Sequence, residues 1–104
     1  MKIVEITPRA KSAIYGALVK REAEIEKKGR GTFQRKGRAR QSSATWRHKK
    51  FKGTVSLTRA DTQSITAKIS SRVPEDELGL LRSFLGFIDR YCGDQVATIT
   101  IRYH

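Results

Sequence analysis

Between Thr54 and Ser70 the chain alternates strictly, and few folds accept that pattern. Val55 and Leu57 are interleaved with Thr54, Ser56 and Thr58. After the turn-forming run Arg59–Gln63, Ile65, Ala67 and Ile69 are interleaved with Ser64, Thr66, Lys68 and Ser70. Period-two alternation on both sides of a turn specifies a β-hairpin with one apolar and one wet face. The apolar face must be covered, so the rest of the chain has to supply helices or a second sheet.

Two helices are available. Thr7-Pro8 reads as an N-cap followed by Pro at the first helical position. Ala10, Ile14, Ala17, Leu18 and Ile25 then recur at helical spacing, with Glu24 and Lys28 as an i,i+4 pair and Gly29 as a stop. This predicts a helix over 8–28. Pro74, followed by Glu75, Asp76 and Glu77 at the positive end of the dipole, opens a second helix over 75–92. Its apolar face is wider than a surface helix needs. Leu78, Leu81, Leu85, Ile88 and Cys92 form one stripe, and Leu80, Phe84, Phe87 and Tyr91 form another. Beside them Gly79, Ser83 and Gly86 make a narrow strip of small residues that another element can approach. A core helix is the ordinary reading of such a face. A homodimer contact through it, or through a sheet edge, is the sharper one.

The ends "KIVEIT" and "QVATITIRYH" read as strands, the second with Ala97, Ile99, Ile101 and Tyr103 on one side. The order β-α-β-β-α-β, joined by right-handed crossovers, predicts an α+β ferredoxin-like two-layer sandwich. It would have a four-stranded antiparallel sheet, strands one and three central, and both helices on one face. The 104 residues suit one domain.

Charge is distributed very unevenly. Eleven of the 22 lysines and arginines lie in 27–53, and none of the ten acids does. The remainder therefore carries eleven cations against ten anions. Eleven of the twelve net positive charges thus belong to one segment, which points to a polyanionic partner. Nucleic acid, RNA ahead of DNA, is the reading adopted here. Arg30, Arg35, Lys36, Arg38, Arg40, Arg47, Lys49, Lys50 and Lys52 would hold phosphates. Trp46, with Phe33 and Phe51, would stack on bases or anchor the segment to the body. The basic segment at about 29–52 is expected to be a flexible or hairpin-like arm, mobile over the glycine-punctuated "GRGTFQRKGRARQSS". In contrast, "ATWRHKKFKG" should be strand, continuing the hairpin outward past a bulge at Gly53. The Gly-Arg-Gly and Lys-Gly-Arg-Ala-Arg pieces resemble minor-groove arginine hooks, without their flanking prolines. A basic loop serving only solubility, or an adaptor for an acidic protein, is the competing account.

The wet sheet face would present Thr54, Ser56, Thr58, Thr66, Lys68, Thr98, Thr100 and Arg102. RNA-recognition modules share the strand and helix order but carry aromatics on the central strands, and "SITAKIS" has none. The enzymatic alternative is a metal-independent ribonuclease using His48, Arg102, Tyr103 and His104 as acid, base and stabilising cation. The ending Arg102-Tyr103-His104 resembles the tail of small basic ribonuclease toxins that act on ribosomes, over those three residues alone.

One cysteine and two distant histidines cannot make a tetrahedral metal set, and the glycines at 29, 31 and 37 lack the Lys-Ser/Thr ending of a P-loop. No metal or cofactor is therefore expected, and Cys92 reads as a buried thiol. The single cysteine suits a reducing compartment. There is no apolar run of about eighteen residues and no signal-peptide order at the start, so no membrane is expected. A cytoplasmic protein is the reading.

Overall fold

The computed structural model describes residues 1–10 and 12–103. Its elements are β1 (Lys2–Pro8), α1 (Ile14–Lys27), β2 (Phe33–Arg35), β3 (Ser43–His48), β4 (Thr54–Arg59), β5 (Ile65–Ser70), α2 (Pro74–Cys92) and β6 (Val96–Tyr103), with a short 3-10 turn at Gly93–Gln95 before β6. The fold is α+β. All strands belong to one antiparallel sheet in the order β2-β3-β4-β5-β1-β6. The sheet therefore has six strands, where the sequence suggested four. The two additional strands come from the basic segment, which folds back as a hairpin against β4.

The alternating hairpin forms as its pattern requires. Val55, Leu57, Ile65, Ala67 and Ile69 are buried, and Val55↔Ile69 and Leu57↔Ala67 are cross-strand partners. Val4 and Ile6 continue the same inner face on β1. Ile14, Tyr15 and Leu18 of α1 and Leu80, Phe84 and Ile88 of α2 join these in one cluster, so both helices lie on one face. The wide apolar face of α2 now divides. Leu80, Phe84 and Ile88 are at its buried centre, Phe87 and Tyr91 are half-buried on one flank, and Leu78 and Leu85 lie on the other. No helix is long and apolar enough to cross a membrane among the described residues.

The first helix begins six residues later than Thr7-Pro8 suggested. Thr7 and Pro8 belong to β1, paired with Thr98 and Val96 of β6 across a register shift. Pairing with β5 stops at Ile6, so the missing N–H of Pro8 faces no strand on that side and costs nothing. Ala10 therefore lies outside the helix, and the N-cap is Ala13, which makes no side-chain bond. The stop comes where expected: Gly29 follows the helix at φ +70. Along α1 the ion pair is Arg21–Glu24 at 3.6 Å, in place of Glu24–Lys28.

Gly53 also acts differently from the expected bulge. It closes the turn between β3 and β4 at φ +123, and a Cβ there would come 2.2 Å from the carbonyl oxygen of Ser70. Residues 45–52 thus do not prolong β4. They comprise most of β3 and the reversal after it.

Candidate nucleic-acid interface

The basic segment is fastened to the body along its whole length. Phe33, Gln34 and Arg35 pair with His48, Arg47 and Trp46. The loop between the strands is closed by Lys36 N–H donating to the Thr45 carbonyl and Arg40 N–H to the Ser43 carbonyl, both at 2.8 Å. Two bonds tie it to α1: Tyr15 Oη donates to the Arg40 carbonyl at 2.7 Å, and the Arg35 N–H donates to Glu26 Oε2 at 3.2 Å. Burial pushes the Tyr15 hydroxyl above its ordinary pKa, Arg59 offsetting part of this, so it remains a donor. At the other end Lys49 N–H donates to the Thr32 carbonyl, and Lys52 N–H to Asp76 Oδ2 on α2. Of the flexible and hairpin-like arms that the sequence allows, the segment takes the hairpin form, docked on the body.

Of the two roles the sequence allows Trp46, stacking on bases or anchoring the segment, its burial agrees with the anchor. It is 0 % exposed, 5.3 Å from Phe87 and 5.6 Å from Phe33 between ring centroids, and has no face free for a base. It and Phe33, 3 % exposed, bind the hairpin to the core. Of the three aromatics in the segment only Phe51 is partly open.

The cations do the opposite. Arg30, Arg35, Lys36, Arg38, Arg40, Arg47, Lys49, Lys50 and Lys52 are all exposed. Among the described residues the ion pairs are Glu77 with Lys2 and the N-terminus, Arg21–Glu24, and Arg102–Glu5; none involves these nine. Antiparallel pairing sorts them. Arg30, Lys49, Lys50 and Lys52 gather at the α2 end, Lys36, Arg38 and Arg40 at the α1 end, with Arg35 and Arg47 between. Six residues of β3 separate the ends by about 20 Å. The hairpin edge is therefore a cationic strip held at fixed spacing.

The open sheet face is neutral by comparison. Thr45, Ser56, Lys68, Ile3 and Arg102 succeed one another across it in register. Arg102 donates to Glu5, which weakens its case as a free phosphate ligand. The ribonuclease set is not assembled. His48 lies on the helix side of β3, Arg102 on the open side of β6, four strand spacings or about 19 Å away. Tyr103 is on β6 and 69 % exposed, and His104 lies outside the described residues. His48 has a structural task instead: its Nδ1 accepts from the N–H groups of Lys50 and Phe51 at 3.0 and 3.4 Å, which shapes the turn. Burial, then Lys50, depress its pKa and favour the neutral ring that this requires.

Sequence reasoning missed a cavity of about 620 Å³ beside that turn. Gly31, Thr32 and Phe33 border it from β2 and its approach, and His48, Lys50 and Phe51 from the turn. Glu22 and Ile25 border it from α1, and Ser83, Gly86, Phe87, Arg90 and Tyr91 from α2. The small-residue strip was the signal: Phe51 fills it at Gly79, while Ser83 and Gly86 are left uncovered. Glu22 is 2 % exposed, and while ionised neither of its oxygens has a hydrogen-bond partner. Burial pushes its pKa up to about 7, the adjacent Glu26 carboxyl adds to this by sharing the proton, and Arg35 offsets part. Among the described residues no cluster of His, Cys, Asp and Glu could hold a metal. Burial, then Asp94, raise the Cys92 pKa, which disfavours a nucleophilic thiolate.

No family model matches the chain, and neither a curated protein nor a solved structure matches it.

Proposed function

We propose that this protein binds nucleic acid without acting on it chemically, RNA in preference to DNA, through the cationic β2–β3 hairpin. The observation that carries the reading is the set of nine exposed hairpin cations, none of them in an ion pair among the described residues. A strip of that kind gains affinity by displacing counterions from phosphates. Because the hairpin is docked, the cations stand at fixed spacing and lose less entropy on binding than a free arm would. Trp46 serves as the anchor, and Phe51 is the segment aromatic left at the surface. In this reading β4-β5-β1-β6 with the two helices form a ferredoxin-like core into which the basic hairpin is inserted, and the protein acts in the cytoplasm. Homodimerisation would use the β6 edge, where Ile99 and Tyr103 are exposed, more readily than the buried centre of α2.

The test is titration of an unstructured RNA and a duplex DNA of equal length, at several salt concentrations. Tight, salt-sensitive binding that favours RNA supports the reading. Binding to neither, or preference for an acidic protein at physiological salt, overturns it.

A further inference from the structure

We infer that the cavity beneath the turn after β3 receives one nucleotide with an unpaired base, its ring among the aromatics of the turn and α2 and its phosphate at Lys50 and Arg90. This rests on the nucleic-acid reading and extends it from phosphate contact to base contact.

Three observations carry it. First, the cavity adjoins the end of the cationic strip and is partly built from it, through Phe33, His48 and Phe51. A chain following the strip passes its mouth. Second, two aromatic pairs line it: His48 and Phe51 from the turn, 4.8 Å between centroids, and Phe87 and Tyr91 from α2, also 4.8 Å. Aromatic surface accepts any base. Third, α2 has no bulk on this side. A Cβ at Gly86 would meet nothing within 4 Å, so the space is open down to the helix backbone.

The charges around the cavity decide the ligand class. An aromatic cavity with one carboxylate also suits an organic cation. Here, however, Lys50 and Arg90 border it, and Arg21 stands 4.9 Å over the Tyr91 ring. A free cation would be repelled. A nucleotide satisfies both parts, with the flat ring inside and the anion at the rim.

The test uses Gly86→Leu, which fills the cavity, changes no charge and favours the helix. Ser83→Met, one turn earlier, serves as the second variant. Each is titrated with an unstructured RNA decamer carrying 2-aminopurine, and separately with guanosine 5′-monophosphate followed by amide chemical shifts. The wild type should quench the fluorophore, and both variants should bind the decamer roughly fivefold to a hundredfold more weakly with the salt dependence unchanged. Shifts at Ser83 and Gly86 with the free nucleotide show that the cavity takes a lone nucleotide. Their absence, with the decamer effect intact, assigns the site to a base presented by the strand. If folded variants bind the decamer as the wild type does, the cavity proposal fails while the hairpin reading stands. If the wild type binds no RNA, the hairpin reading fails first.

Discussion

The ring of Phe51 rests on Gly79, so close that a Cβ at position 79 would come 2.5 Å from it. That contact couples the turn after β3 to the first half of α2, and it sets one side of the cavity. Gly79→Ala should therefore give little net gain, because the usual ~1 kcal/mol of improved helix propensity is offset by displacement of the ring. In a Phe51→Ala background the same substitution should stabilise by about 1 kcal/mol. Urea titrations of the four proteins measure this. Equal effects of Gly79→Ala in both backgrounds would show that the two residues are uncoupled.

Trp46 is the only tryptophan and is wholly enclosed. Trp46→Ala should cost about 3–5 kcal/mol of stability, in the range for large aromatic truncations in a core. Native emission should be blue-shifted and protected from iodide. A tryptophan on a base-stacking surface would give red-shifted, quenchable emission and would leave the melting temperature nearly unchanged.

Glu22 makes stability depend on pH in a direction opposite to an ordinary ion-paired carboxylate. Its folded pKa, about 7, lies above its unfolded value near 4.5, so the folded state holds the proton more tightly. The stability it contributes is complete below about pH 4.5 and is lost as pH rises through 7. Glu26 and Arg35 are the charged groups that act on it. Glu22→Gln should therefore be more stable than the wild type at pH 8, by at most about 3 kcal/mol, and the gap should shrink towards pH 4.5. The difference between the two proteins matters, because His48, with its lowered pKa, gains stability as pH rises over part of this window. A gap that is constant with pH would mean that Glu22 is not held protonated.

Glu77 behaves in the ordinary sense. Lys2 Nζ at 2.8 Å depresses its pKa, with the N-terminal ammonium at 3.3 Å contributing. Its contribution is present at neutral pH and lost in acid. Glu77→Gln should reduce stability at pH 7, and the deficit should disappear once the wild-type carboxyl is protonated. Melting temperatures at pH 7 and pH 3 decide this.

The elements most visible in the sequence were those whose pattern and partners coincide. β4 and β5 alternate because one face is buried along their full length, and α2 carries both its Pro start and its apolar stripe. The start of α1 was misread because Thr7-Pro8 is locally a good cap, and only pairing with β6, nearly ninety residues away, makes it strand. β2 is hidden for a different reason. It is three residues long, and Phe33 is its one apolar side chain, so the strand exists through Trp46 and His48 across from it. The cavity was half visible. Gly79, Ser83 and Gly86 mark a place of close approach, but which of them is filled depends on where the turn puts Phe51. The cations were legible as a cluster, whereas their arrangement along an edge of about 20 Å follows from hairpin pairing that their own composition conceals.

The account is tested most directly by the salt dependence of RNA binding when Arg35, Lys36, Arg38 and Arg40 are all changed to glutamine. These side chains are exposed, so the fold should persist. With about six phosphates engaged, single-stranded affinity for the wild type should fall a few hundredfold between 50 and 200 mM salt. The variant should bind more weakly at low salt, and the slope of log affinity against log salt should become shallower by about 3. An unchanged slope and affinity in the folded variant would contradict the account.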